Sequence, residues 1–129
     1  MENEYETLNH TKWECKYHVV FIPKRRRKAL YGELRRYLGD LFRTLAQHRE
    51  SQVLEGHLMG DHVHMLLSVP PKYSVAQVVG YIKGKSAIGI ARRYMDKKRN
   101  FVGHSFWARG YFQKQEAGDA RLDRQLNLI

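Results

Sequence analysis

The chain has 129 residues, 43% hydrophobic and 28% charged, which is the size and composition of one folded domain and excludes a disordered segment. Lys and Arg number 23 against 13 Asp and Glu, a formal charge of +10 that favours a polyanionic partner, nucleic acid first. A single cysteine, Cys15, excludes an internal disulfide and fits a cytoplasmic protein, and neither a membrane span nor a secretory leader is read in the sequence.

Residues 13–22, WECKYHVVFI, are aromatic and β-branched and stop at Pro23, which predicts a strand. Trp13, Cys15, Tyr17, Val19 and Phe21 share one face of it, so Cys15 is a small core residue. Five basic residues follow directly: Lys24, Arg25, Arg26, Arg27 and Lys28. Leu34, Leu38, Leu41 and Leu45, with Tyr37 and Phe42 beside them, have the period of a helix over 29–49. Two apolar stretches, 52–59 and 62–69, flank Gly60-Asp61 as a hairpin flanks its two-residue turn. Pro70-Pro71 ends the second, and Ser74 with Gln77 forms a capping box for the next helix. Val75, Val78, Val79, Ile82 and Ile90 are that helix's apolar face. Gly80, Gly84 and Gly89 each weaken it by about 1 kcal/mol relative to Ala, which suits close packing against them. A last strand is expected near 105–112, SFWARGYF, and then a short polar tail, 113–129, with room for a short helix. The order β-α-β-β-α-β makes 1–129 a single α+β domain of ferredoxin-like type, an antiparallel sheet with both helices on one face.

His62 and His64 are the sharpest local feature. In a strand they point the same way, while Val63, Met65, Leu67 and Val69 point the other way, towards the helices. Most histidine pairs of this spacing are solvated surface residues. Here the alternation puts both imidazoles on the open face of a basic protein, where two of them can chelate a divalent cation. His18 shares that face; His57 has the parity of Val53 and Met59 and is not placed. Neither is taken as a ligand. A hard cation also wants oxygen donors, with Gln115, Glu116, Asp61 and Glu55 as candidates. If the tail is helical, Tyr111 and Gln115 are i, i+4 neighbours, and a phenol beside a metal-bound phosphate is a usable nucleophile. By pattern alone, Tyr111 reads more readily as a core or interface aromatic.

The basic supply is residues 24–28, Lys83, Lys85, Arg92, Arg93 and 97–99. Single charges of this kind are usually solvated, but five in a row after a strand suit a clamp on the phosphate backbone. Lys83-Gly84-Lys85-Ser86 lacks the spacing and the preceding strand of a phosphate-binding loop, which excludes nucleotide hydrolysis on that motif.

His62-Val63-His64 resembles the HUH motif of single-strand nucleases. TKWECKYHVVFIPKRRRK at 11–28, GDHVHMLLSVPPKYSV at 60–75, GYIKGKSA at 80–87 and FWARGYF at 106–112 resemble, in order, segments of the IS200/IS605 family of single-tyrosine transposases. The resemblance implies a homodimer that binds hairpins in single-stranded DNA and cuts and rejoins the strand through a 5′-phosphotyrosine. It implies Mg²⁺ or Mn²⁺ held by His62, His64 and Gln115, with Tyr111 as nucleophile. Lys24, Arg25, Arg26, Arg27, Lys28, Lys83 and Lys85 are then the nucleic-acid contacts. Family members carry a loop and most of a helix between their Gly-Tyr-Phe strand and their Tyr-x-x-x-Gln helix; here Gly110-Tyr111-Phe112 runs straight into 113–116. The alternative is a catalytically impaired protein of the same fold that binds DNA or RNA hairpins.

Overall fold

Alternating apolar side chains set the sheet. β1 (Cys15–Phe21) buries Val19 and Phe21, and β3 (Val63–Val69) buries Val63, Met65, Leu67 and Val69 in the same core. The computed structural model describes residues 15–26, 28–94 and 106–116. With β2 (Gln52–Leu58) and β4 (Phe112–Gln115), the strands run in the order β2-β3-β1-β4, every neighbouring pair antiparallel. Helix α1 (Gly32–Gln47) contributes Leu38, Phe42, Leu45 and Ala46 to the core, and α2 (Val75–Tyr94) contributes Val75, Val78, Val79, Ile82, Ala87 and Ile90. Both helices therefore cover the odd-numbered face of β1 and β3, in the ferredoxin-like arrangement that the element order implies.

Local chemistry sets the element ends. α1 starts at Gly32 rather than 29 because the amides of Ala29 and Leu30 donate to the Gly60 carbonyl at 3.0 and 3.1 Å, with Leu30 buried. This strap ties the β2–β3 turn to the approach of α1. The turn is the two-residue one, closed by Met59 N–H to the His62 carbonyl at 2.9 Å. At Gly60 a Cβ would meet the hydroxyl end of the exposed Tyr31 ring, which would have to move aside for any larger residue. The capping box of α2 forms, with Gln77 N–H donating to Ser74 Oγ at 3.1 Å and Ser74 N–H to Gln77 Oε1 at 2.8 Å.

The final strand lies at Phe112–Gln115, not at 105–112, and the segment expected to be helical is that strand. Phe106 and Trp107 are both buried, stacked edge to face at 4.7 Å. Consecutive strand residues point to opposite faces, so two neighbours that both enter one core cannot belong to a regular strand. Instead the segment runs beside the end of β1: Lys24 N–H donates to the Phe106 carbonyl at 2.8 Å and Ala108 N–H to that of Ile22 at 2.9 Å. Trp107 Nε1 donates to Ser86 Oγ at 2.9 Å, which satisfies a buried hydroxyl on α2. Of the α2 glycines, only Gly89 has a close neighbour, the Tyr37 hydroxyl; Gly80 and Gly84 face open space.

Candidate metal and nucleic-acid site

Directly paired residues of antiparallel strands share a face, so the register lists what the sheet presents on the side away from the helices. One row across β4, β1, β3 and β2 is Phe112, Val20, His64 and His57; the next is Lys114, His18, Leu66 and Glu55. His57 reaches this row because β2 shifts register between Val53 and Glu55, which reverses the facing of the residues that follow.

The imidazoles contact one another. His18 Nδ1 lies 3.1 Å from His64 Nε2, with ring centroids 5.3 Å apart, and the His57 and His64 centroids are 5.9 Å apart. His18 Nε2 lies 3.3 Å from Glu116 Oε1. His62, in the turn just before β3, donates from Nδ1 to Asp61 Oδ1 at 2.8 Å, which leaves its Nε2 with the lone pair. The other oxygen, Asp61 Oδ2, accepts from Arg26 Nε at 3.1 Å. The His62 hydrogen bond, followed by the charge of Arg26, holds the Asp61 carboxyl below its ordinary range. Burial, followed by the neighbouring charges of His18, His57 and His62, pushes His64 below the usual imidazole value. The neutral ring so favoured is the form that ligates metal.

His62 and His64 offer imidazole donors, with the Asp61 carboxylate beside the first, a donor chemistry that suits a divalent cation. Among the described residues, no group of three His, Cys, Asp or Glu side chains is arranged to hold an ion. A cation held by His62 and His64 would take its remaining positions from water or phosphate oxygens.

The other site residues expected from sequence are dispersed. Gln115 pairs with Tyr17, whose ring packs on the core, so Gln115 stands on the helix side of the sheet. Its neighbour Glu116 is the residue that reaches the imidazoles. Tyr111 and Gln115 are not helical neighbours: an extended chain separates residues four apart by roughly 13 Å. Tyr111 packs against the core and, with Gly80, Lys83, Gly84 and Trp107, lines a cavity beside α2. The sheet stands between it and His64.

Lys83 lines the same cavity and donates from Nζ to the carbonyls of Ala108 at 2.8 Å and Gly110 at 2.6 Å. Burial lowers its pKa. Lys85 is exposed, its Nζ 6.0 Å from the Tyr81 ring. Lys24, Arg25 and Arg26 form an exposed 3₁₀ turn and Lys28 is exposed after it; Arg27 and residues 97–99 lie outside the described residues. Arg93 is stacked on Tyr37, 4.9 Å from its ring centre. No helix of the described residues is long and apolar enough to cross a membrane.

Comparison with known proteins places these observations in a family. The model of the family described as "Transposase IS200 like" matches residues 11–125. The transposase for insertion sequence element IS200 of Salmonella typhimurium is 46% identical over 107 residues, which cover 83% of this chain and 70% of that protein. A candidate transposase from Deinococcus radiodurans R1 superposes with a TM-score of 0.72 at 24% identity, over 90% of this chain and 89% of that one. A REP-associated tyrosine transposase bound to a REP hairpin gives 0.63 at 10% identity, over 88% and 62%. Both superpositions speak to the fold alone.

Proposed function

Because the chain belongs to the IS200-like transposase family, we propose that it binds hairpins in single-stranded DNA and cuts and rejoins the strand beside them. The observation that carries this reading is His64 on the uncovered face, two residues from a His62 that Asp61 ties to the basic turn. Hairpin DNA as substrate follows from the family and the basic turn; one protein of the same fold is bound to a REP hairpin. His62 and His64 would hold Mg²⁺ or Mn²⁺, which supplies polarisation of the scissile phosphate. Arg26, the exposed Lys24, Arg25 and Lys28, and Lys85 would hold the backbone. In the cut, a tyrosine oxygen bonds to phosphorus as the P–O3′ bond breaks; the phenolic proton is given up and the departing 3′ oxygen takes one. The 5′-phosphotyrosine keeps the bond energy, and a 3′-hydroxyl reverses the step on rejoining. Tyr111 is the tyrosine that the family pattern assigns to this role.

The position of Tyr111 on the helix side favours a second reading, in which the protein binds DNA or RNA hairpins without cutting. The two separate in one experiment: protein, Mn²⁺ and a labelled hairpin-bearing single strand, followed by denaturing electrophoresis. Transposition predicts a DNA-linked band that Tyr111→Phe removes while binding persists. A band that survives Tyr111→Phe assigns the chemistry to another tyrosine. Hairpin binding with no band refutes cutting and upholds the second reading. We also propose a homodimer, which sedimentation velocity tests directly; a monomer at micromolar concentration refutes it.

A further inference from the structure

We propose that His18 and Glu116 are positioning residues, which fix the ring and tautomer of His64 so that its Nδ1 presents a lone pair on the uncovered face. This rests on the reading of His64 as a metal ligand.

Three side chains stand in line: Glu116 Oε1 lies 3.3 Å from His18 Nε2, and His18 Nδ1 lies 3.1 Å from His64 Nε2. A carboxylate only accepts, so His18 Nε2 carries the proton that faces Glu116. In the tautomer with that proton alone, His18 Nδ1 is an acceptor, and the short contact to His64 then pairs it with Nε2–H on the His64 ring. The one lone pair left on His64 is at Nδ1. Asp61 does the same for His62 with the opposite result, taking Nδ1–H and leaving Nε2. The two rings would thus offer different nitrogens, each set by an acceptor behind it. A ligand imidazole held from behind by a carboxylate is a recurring arrangement, and loss of such a partner costs about 10- to 100-fold in metal affinity. Here the carboxylate acts through an intervening imidazole, because His18 and Glu116 arrive on β1 and at the end of β4, which flank each other in the sheet.

The test is long-range proton–nitrogen NMR of the imidazoles in the full-length, metal-free protein at neutral pH. The expected pattern has protons on Nε2 and lone pairs on Nδ1 in both His18 and His64. A proton on Nδ1 of either ring overturns the proposal. Mn²⁺ affinity by calorimetry is the second readout. His18→Phe removes the acceptor and is expected to weaken binding by about 10- to 100-fold. His18→Gln, whose amide oxygen can accept from His64, and Glu116→Gln, which still accepts from His18, are expected to stay within about threefold of the parent. His18→Phe with parental affinity, or His18→Gln as weak as His18→Phe, overturns it. If the parent protein binds no Mn²⁺, the metal reading fails by itself, and the NMR pattern still decides the tautomers.

Discussion

Replacing Lys83 by methionine keeps an apolar stem near Phe21 and removes only the ammonium, whose Nζ sits 5.9 Å from that ring. Two hydrogen bonds are lost, to the carbonyls of Ala108 and Gly110. Bonds from a charged donor contribute about 1.5–3 kcal/mol each. Against that stands the desolvation of the ammonium, which is what lowers its pKa, and water can reach Gly110 once the ammonium is gone. The expected net loss is about 2 kcal/mol. With about 2.1 cal/mol/K of unfolding entropy per residue over 129 residues, that corresponds to a Tm about 7 °C lower. Thermal unfolding reads this. Hairpin binding measured against NaCl reads the other half of the argument: an ammonium committed to two carbonyls releases no counterion on binding, so the slope of log K against log salt stays as in the parent. Lys85→Met should behave in the opposite way, lowering the slope by about 0.7–0.9 with Tm nearly unchanged. A Lys83→Met protein with parental Tm and a reduced slope would refute the assignment of Lys83 as a brace.

Ser74→Ala removes the hydroxyl of the capping box and should cost about 1 kcal/mol in urea unfolding. Gly84→Ala has open space for the new methyl and a helical backbone, so it should stabilise by about 1 kcal/mol, read the same way. Gly110→Ala also meets no atom, but its φ of 76° is left-handed, and a loss of about 1–2 kcal/mol is expected. Stability should also fall on acidification through His64. Its folded value lies below the ordinary one, so the unfolded chain takes up the proton first. The His64 contribution is complete above the ordinary histidine value and is lost as pH falls from there through the folded value. His64→Gln should flatten that part of the stability–pH curve; an unchanged slope would contradict the shift.

Much of the scaffold is legible because it rests on periodicity and local chemistry. The alternation of Val63, Met65, Leu67 and Val69, the period of Leu38, Phe42 and Leu45, the turn at Gly60-Asp61 and the Ser74–Gln77 cap each follow from a few neighbouring residues. The placements that sequence could not give depend on events between distant segments. His57 is turned to the uncovered face by the register shift at Val53 and Glu55, and no composition signal marks that shift. Trp107 reads as a strand aromatic until the hydroxyl of Ser86 and the ring of Phe21 claim it for the core. The Tyr111–Gln115 spacing satisfies a helical pattern, yet β1 offers an unpaired edge, and pairing with it makes the segment a strand. That exchange puts Glu116, rather than Gln115, on the face of the histidines.

The basic turn and the histidine pair are parts of one construction. Arg25 and Arg26 have φ values of 63° and 52°, left-handed conformations that cost a side-chain-bearing residue about 1–2 kcal/mol each. Such strain persists only where surrounding bonds over-determine it. Here Arg26 N–H donates to the Pro23 carbonyl at 2.8 Å, Lys24 N–H to that of Phe106 at 2.8 Å, and Arg26 Nε to Asp61 at 3.1 Å. Asp61 is therefore shared: one oxygen fixes the tautomer of His62 and the other helps hold the strained turn. Asp61→Ala should then do two things at once, freeing His62 Nδ1 and loosening the turn that presents Lys24 and Arg25. Measured on the same protein, Mn²⁺ affinity and hairpin affinity should fall together, whereas Arg26→Met should weaken hairpin binding and leave Mn²⁺ affinity near parental, since Asp61 still accepts from His62. Equal losses of Mn²⁺ affinity in the two variants would place Arg26, not the Asp61–His62 bond, in control of the metal pair.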